Sequence, residues 1–291
     1  MLASEALSLF FFLLIDGVIL GCVYSLVGVG LTIVYGVMDI INFSHGEFYT
    51  LGAYLTYWAF KLLGVHPVIA MVLGLTVTLF AGFVTEKVLI SPTLKWGHSY
   101  AVIVTFVLGI LMRNLYLAAF GPTFRAPPQP FLGSVPLLGL MYPQTRIYAA
   151  CVAVASISVT YIFIRTTMFG KALQAVSQEK EGSMYIGINV GRVNMVGFGI
   201  SCLLAGIAGL VLTPIYTLVP TAGAILSGKA FAVVALGGLG SVEGSIIAGI
   251  LLGLTENLGA TYIAHDYRDF FSFLIIIGVL IFRPKGLRGR G

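Results

Sequence analysis

The chain predicts an all-α, polytopic transmembrane helix bundle carrying one water-facing helical segment, and three observations lead there. Only 9% of its 291 residues are charged, against about a quarter in ordinary soluble domains, while 58% are hydrophobic and the mean hydropathy is +1.02. Four runs, 17–38, 67–85, 147–164 and 193–219, hold no Asp, Glu, Lys or Arg and approach or exceed the ~20 residues that cross ~30 Å of hydrocarbon. The stretch 170–190, in contrast, is polar, amphipathic and helix-forming.

The apolar runs are continuous and not alternating, so they read as helices, not as barrel strands. In order, the candidate spans are 8–37, 48–63, 67–87, 99–120, 146–165, 193–216, 224–239, 243–261 and 269–283. The first is too long for one straight crossing, and the last ones are short and glycine-broken, which gives eight to ten spans, some broken or re-entrant. No basic residue precedes the first run, so it reads as a retained helix and not as a cleaved signal. Between the first two spans, Asn42-Phe-Ser-His-Gly-Glu47 interrupts the apolar sequence; Ser44 at an N-cap with Glu47 three positions on spells a capping box. Gly17/Gly21, Gly240/Gly244 and Gly249/Gly253 have the small-xxx-small spacing of close helix packing. Cys22, Cys151 and Cys202 sit singly in separate apolar runs, without ligand or redox spacing.

Lys and Arg orient the bundle, because short cytoplasmic loops carry their excess. With the 166–192 loop inside, alternation gathers Lys87, Lys95, Arg165, Lys171, Lys180, Arg192, Arg283, Lys285, Arg288 and Arg290 on the cytoplasmic side. Lys61, Arg125, Arg146 and Arg268 fall outside. The formal charge of +5 is therefore a topology signal and not a nucleic-acid footprint, and the C-terminal tail is expected to be cytoplasmic. The chain reads as one transmembrane domain over 1–291, with a Pro-rich outer loop over about 121–145 (Pro122, Pro127, Pro128, Pro130, Pro136, Pro143) that prolines stiffen into an extended or turn-rich cap.

No catalytic set stands out. Gly223-Ala-Ile-Leu-Ser-Gly-Lys229 has phosphate-loop spacing, but Ala230 stands where Ser or Thr should hold magnesium, and no strand precedes it. His45, His66, His98 and His265 lie apart, without metal-ligand spacing. The ionisable residues at membrane depth are Asp16, Glu47, Arg113, Lys229, Glu243 and Glu256, with Asn114 and Asn257 beside two of them. A charge there costs about 2.5–3.5 kcal/mol, so these residues either pair and cap broken helices or line a solute path. Asn42, Ser44, Glu47, Lys229 and Glu256 are the candidate path residues. In the 170–190 segment, Ala172, Ala175 and Val176 oppose Lys171, Gln174, Ser177 and Gln178, and Gly182 breaks the helix before Met184, Tyr185, Ile186 and Ile188. Apolar side chains in a polar loop mark a partner surface; lipid headgroups compete, but Glu179 and Glu181 disfavour an anionic membrane.

This segment resembles the cytoplasmic coupling loop of ABC-importer permeases, in the form carried by the branched-chain amino acid (Liv-type) permeases. That pattern, Gly-x-Ala-x-x-Ala-x-x-x-Asp followed by Gly-Ile-Asn-x-x-x-x-Val, is read by Gly170, Ala172, Ala175, Glu179, Gly187, Ile188, Asn189 and Val193. Two further blocks agree: Gly30–Met38 followed by Asn42–Glu47, and Lys229-Ala-Phe231 with Leu236-Gly-Gly-Leu-Gly-Ser241, Gly244, Gly249 and Glu256. Glu179 replaces the usual Asp, Gln174 stands where Arg is common, and Gly182 and Gly191 occupy positions often filled by Ala and Asp.

The resemblance implies a non-catalytic permease subunit in a bacterial inner membrane, pairing with a homologous second permease subunit, as a heterodimer. Two cytoplasmic ATPase subunits, which carry ATP and magnesium, would dock on Gly170, Ala172, Ala175, Glu179, Gly187 and Ile188. An extracytoplasmic binding protein would deliver branched-chain or other hydrophobic amino acids; relatives for urea and short amides belong to the same family. An ion-coupled secondary transporter and a flux-free membrane scaffold are the readings from other classes, and flux with and without ATP separates them.

Overall fold

A computed structural model describes residues 2–125, 133–137, 140–263 and 267–288; Pro127, Pro128, Pro130, His265 and Arg290 lie outside these. Every one of the nine expected apolar stretches is a helix. The long first run is α1 (Leu2–Met38), and α2 (His45–Leu63) follows the polar interruption. The third span is α3 (Pro67–Thr85), a π-turn at Glu86–Ile90 and the short α4 (Ser91–Leu94). Then come α5 (His98–Phe120), α6 (Gln144–Thr166), α7 (Met168–Gln178), α8 (Lys180–Tyr185), α9 (Val190–Tyr216), α10 (Ala222–Gly237), α11 (Val242–Tyr262) and α12 (Arg268–Phe282).

Length and apolarity qualify five of the described helices as crossings, or six with α10 and α11 counted as one span bent by 118°. That is fewer than the eight to ten expected. The difference lies in α2, which carries Glu47 and Lys61, and in α10 and α12, which at 16 and 15 residues span only roughly 24 Å each. In the described part of the loop between α5 and α6, Ser134–Leu137 (β1) and Leu140–Pro143 (β2) form an antiparallel hairpin, and Arg125 bridges to Leu218.

α1 and α9 form the centre, with 72% of the most apolar window of α9 buried against 17% in α6. The α1–α11 seam is built from small residues. A Cβ on Gly21 would stand 2.6 Å from the Ile250 Cα, and one on Gly253 would stand 2.3 Å from the Gly21 amide. The Ser25 hydroxyl donates across the seam to the Ile246 carbonyl at 2.8 Å. The pairing of Gly17 with Gly253 and Ser25 with Gly249 makes these helices antiparallel, while Asp16 with Arg146 and Cys22 with Val154 make α1 and α6 parallel.

The two ends of the bundle follow from these directions. At one end, called the α7 end below, Glu243 meets Arg165 from α6 and Arg288 from the tail. The tail also donates from the Leu287 and Arg288 amides to the Leu236 and Gly237 carbonyls, the last two of α10, at 2.9 and 3.0 Å. At the far end, Lys61 and Arg125 lie over Tyr57 and Trp58, Arg146 pairs with Asp16, and Arg268 lies over Tyr216. Arg165 and Arg288 thus lie at one end and Lys61, Arg125, Arg146 and Arg268 at the other, the division that the sequence assigns to these six.

Candidate functional site

The α7–α8 segment is clamped to the end of α6. The Thr167 hydroxyl caps α7 by accepting from the Gly170 amide at 2.9 Å, and Gln174 donates to the Ile164 carbonyl at 3.0 Å. Leu173 and Val176 are buried against the bundle. Gly170 is buried too: a Cβ there would stand 2.3 Å from the Phe163 carbonyl oxygen, so this position lets α7 approach α6 and offers no surface. Ala172 and Ile188 are half-buried and lean on the core; Ala175 is half-buried, and Glu179 and Gly187 are exposed.

The break between α7 and α8 falls at Glu179 and not at Gly182, which lies inside α8. Glu179 is extended (φ −151°), which frees its carboxylate to accept from the Glu181 amide and its carbonyl to accept from the Ser183 hydroxyl. Gly187, at φ +86°, turns the chain toward α9, whose first turn Asn189 caps. The apolar residues noted in this loop project furthest: Tyr185 is 88% and Ile186 76% exposed.

The polar interruption is a buried junction. Asp39, at φ +53°, turns the chain back from α1, and the Asn42 carboxamide oxygen accepts from the Ser44 amide and hydroxyl at 3.1 and 2.7 Å. Ser44 is the N-cap residue, but the expected capping box does not form, because its hydroxyl serves Asn42 and the Glu47 carboxylate is taken by Arg113 at 2.8 Å. His45 faces the Val27 carbonyl at 3.1 Å and the Ser201 hydroxyl at 3.2 Å, while the Gly46 amide donates to Ser227 at 3.0 Å. Four helices, α1, α5, α9 and α10, are therefore tied to six residues. A Cβ on Gly46 would lie 2.0 Å from the Gly223 carbonyl oxygen. Gly223–Lys229 itself is helical within α10, so the phosphate-loop spacing has no loop behind it.

Lys229 and Glu256 are elsewhere, on the wall of a cavity of about 260 Å³ whose rim reaches Thr217 and Val219 at the far end. The structure thus divides the five expected path residues into two groups: Asn42, Ser44 and Glu47 are almost wholly buried in the junction, and only Lys229 and Glu256 reach this cavity. Glu256 is fully buried and gathers donors from three other helices. Tyr24 donates to it at 2.7 Å, Lys229 and Ser272 donate to its other oxygen, and Arg268 pairs with it at 3.4 Å. Tyr49, Tyr216, Leu212, Ile225 and Leu226 complete a lining that is mostly apolar around this charged cluster. Such a site can hold a small solute with a polar head and an apolar body; it contains no nucleophile–base arrangement. Tyr24, Arg268 and Ser272 escaped the sequence reading, Tyr24 because its run is uncharged and Arg268 because it was placed in an outer loop. Among the described residues, no three His, Cys, Asp or Glu side chains come together as a metal site.

Comparison with known proteins agrees with this architecture. Residues 13–280 match the family described as the permease component of the branched-chain amino acid transport system. The chain is 31% identical to the high-affinity branched-chain amino acid transport system permease protein LivH of Salmonella typhimurium, over 99% of this chain and 98% of that one. It is 30% identical to BraD of Pseudomonas aeruginosa, covering 95% of each. LivM of Escherichia coli K12 is 26% identical over 94% of this chain and 69% of its own length. A chain of PsaBC from Streptococcus pneumoniae in complex with Fab shares the fold, with a TM-score of 0.53 at 14% identity over 98% and 97% of the two chains. With its bundle, its clamped α7–α8 segment and these relatives taken together, the chain is a multi-pass membrane protein of the branched-chain amino acid ABC permease family.

Proposed function

We propose that this chain is the transmembrane permease subunit of an ATP-driven importer that moves branched-chain or related hydrophobic amino acids across the bacterial cytoplasmic membrane. It acts as one transmembrane domain, beside a homologous second permease subunit. Two ATPase subunits that hold ATP and magnesium dock on α7–α8, and a binding protein delivers solute at the far end. The α7 end, with the C-terminal tail, then faces the cytoplasm, in line with the positive-inside bias.

The observation that carries this reading is the clamp on α7–α8. Its inner face is locked to α6 and the core, while Glu179, Met184, Tyr185 and Ile186 are exposed and Ala175 is half-buried beside them. A lever needs that combination of a rigid root and an exposed apolar contact surface. The Glu256 cavity supports the solute class, because a charged cluster within a mostly apolar lining suits a zwitterion with a hydrocarbon side chain better than urea or a short amide.

The test is reconstitution of the full assembly in vesicles, with amino-acid uptake and ATP hydrolysis measured together. Ala175→Glu is expected to leave insertion intact and to uncouple hydrolysis from uptake. Normal coupled uptake in that variant, or uptake by the chain without ATP, sinks the importer reading.

A further inference from the structure

Helices α1, α6 and α11 leave between them a trough of about 590 Å³ lined by Cys22, Ile157, Ile246 and Ile250. Val154, Ile162 and Ile247 are exposed on its edges, so it opens on the outer face of the bundle. At the α7 end it continues into a polar chamber of about 280 Å³ walled by Arg165, Gln174 and Gln178, and Tyr161 and Glu243 belong to both spaces. From Val154 to Arg165, α6 rises roughly 16 Å. That matches about half of a ~30 Å hydrocarbon core, the depth of one leaflet.

The polar mouth is built from charges. Glu243 accepts from Tyr161 at 3.3 Å and from Arg165 at 3.2 Å on one oxygen, and from Arg288 on the other. Two guanidinium groups against one carboxylate leave a charge of +1 (2 − 1), and both arginine side chains are about half exposed. A guanidinium carries five donors, so each retains N–H groups for a further acceptor.

We propose that this composite groove binds one anionic glycerophospholipid from the leaflet at the α7 end, with an acyl chain in the trough and the phosphate on Arg165 and Arg288. The order of the surfaces, apolar for one leaflet and then cationic, is the order of that molecule. The bound headgroup lies between the end of α6 and the Gln174–Gln178 face of α7, and so braces the segment read above as the ATPase lever. That consequence rests on the proposed function; the binding itself does not.

The experiment measures lipid retention and not transport. The full chain, purified in mild detergent with whatever subunits accompany it, is supplied with phosphatidylglycerol and phosphatidylcholine of matched chain length and examined by native mass spectrometry. Retention of one phosphatidylglycerol is expected, preferred about fivefold for the single net positive charge. Arg165→Gln with Arg288→Gln should bring the two lipids to parity. Ile247→Trp, which fills the trough and leaves the arginines alone, should abolish retention of both. Parity in the unaltered protein, an unchanged preference in the arginine variant, or full retention in Ile247→Trp overturns the proposal. So does a photoreactive group at Val154 that labels a polypeptide and not lipid.

Discussion

Glu243 and Glu256 sit on one helix, roughly 20 Å apart along its axis, and gather nearly the same company. Glu243 meets Arg165, Arg288 and Tyr161; Glu256 meets Lys229, Arg268 and Tyr24, with Ser272 added. What separates them is water, for the Glu243 side chain is 40% exposed and that of Glu256 is fully buried. A list of partners therefore says little about energy. An exposed cluster trades protein contacts for hydration at almost no net change, whereas a buried one has no second choice once a member is lost.

The largest effect should come from breaking the buried cluster. Glu256→Ala leaves the largely buried Lys229 and Arg268 without the carboxylate they share and is expected to cost about 3–5 kcal/mol, read as a collapse in folded yield and unfolding temperature in detergent. A loss no greater than that of the Glu243 variant would erase the contrast. Glycines sharpen it next. Gly46→Ala forces a methyl into the Gly223 carbonyl and should cost about 1–3 kcal/mol or more. Gly228→Ala, beside open space in mid-helix, should gain about 0.5–1 kcal/mol. Thermal unfolding of the two variants side by side should move in opposite directions. Glu243→Ala should cost no more than about 1 kcal/mol, and raised salt should shrink even that difference. The smallest stability change belongs to Tyr185→Ala, within about 0.5 kcal/mol, although a pull-down from cells should recover less ATPase. Unaltered recovery would detach Tyr185 from the docking surface.

Much of this architecture was legible because hydrocarbon is an unforgiving solvent. Uncharged runs long enough to cross it announce their helices, and the Lys and Arg distribution correctly divided Arg165 and Arg288 from Arg146 and Arg268. Polarity at Asn42–Glu47 flagged a special place for the same reason. Its use was not legible, because the partners Thr105, Arg113, Ser201 and Ser227 lie far along the chain, and only packing decides that Glu47 serves Arg113 and not its own helix end. Gly170 shows the same limit. A motif glycine reads alike whether it exposes backbone to a partner or lets two helices touch, and here it lies 2.3 Å, measured from its would-be Cβ, from a carbonyl of α6. The break at Glu179 was displaced to Gly182 because intrinsic propensity favours glycine, while an extended Glu179 capping the next turn outweighed it.

The hydrogen bonds from Leu287 and Arg288 to the last carbonyls of α10 have a kinetic meaning. A helix end is ordinarily the first part of a helix to fray, yet here its acceptors are occupied by amides distant in sequence, and Arg288 is pinned again at Glu243. The terminal strap and the closing turn of α10 should therefore open as one cooperative unit, exchanging their amide protons with solvent at a common rate. Clipping the strap would turn a slow-exchanging corner of the molecule into a fast one without touching a single crossing.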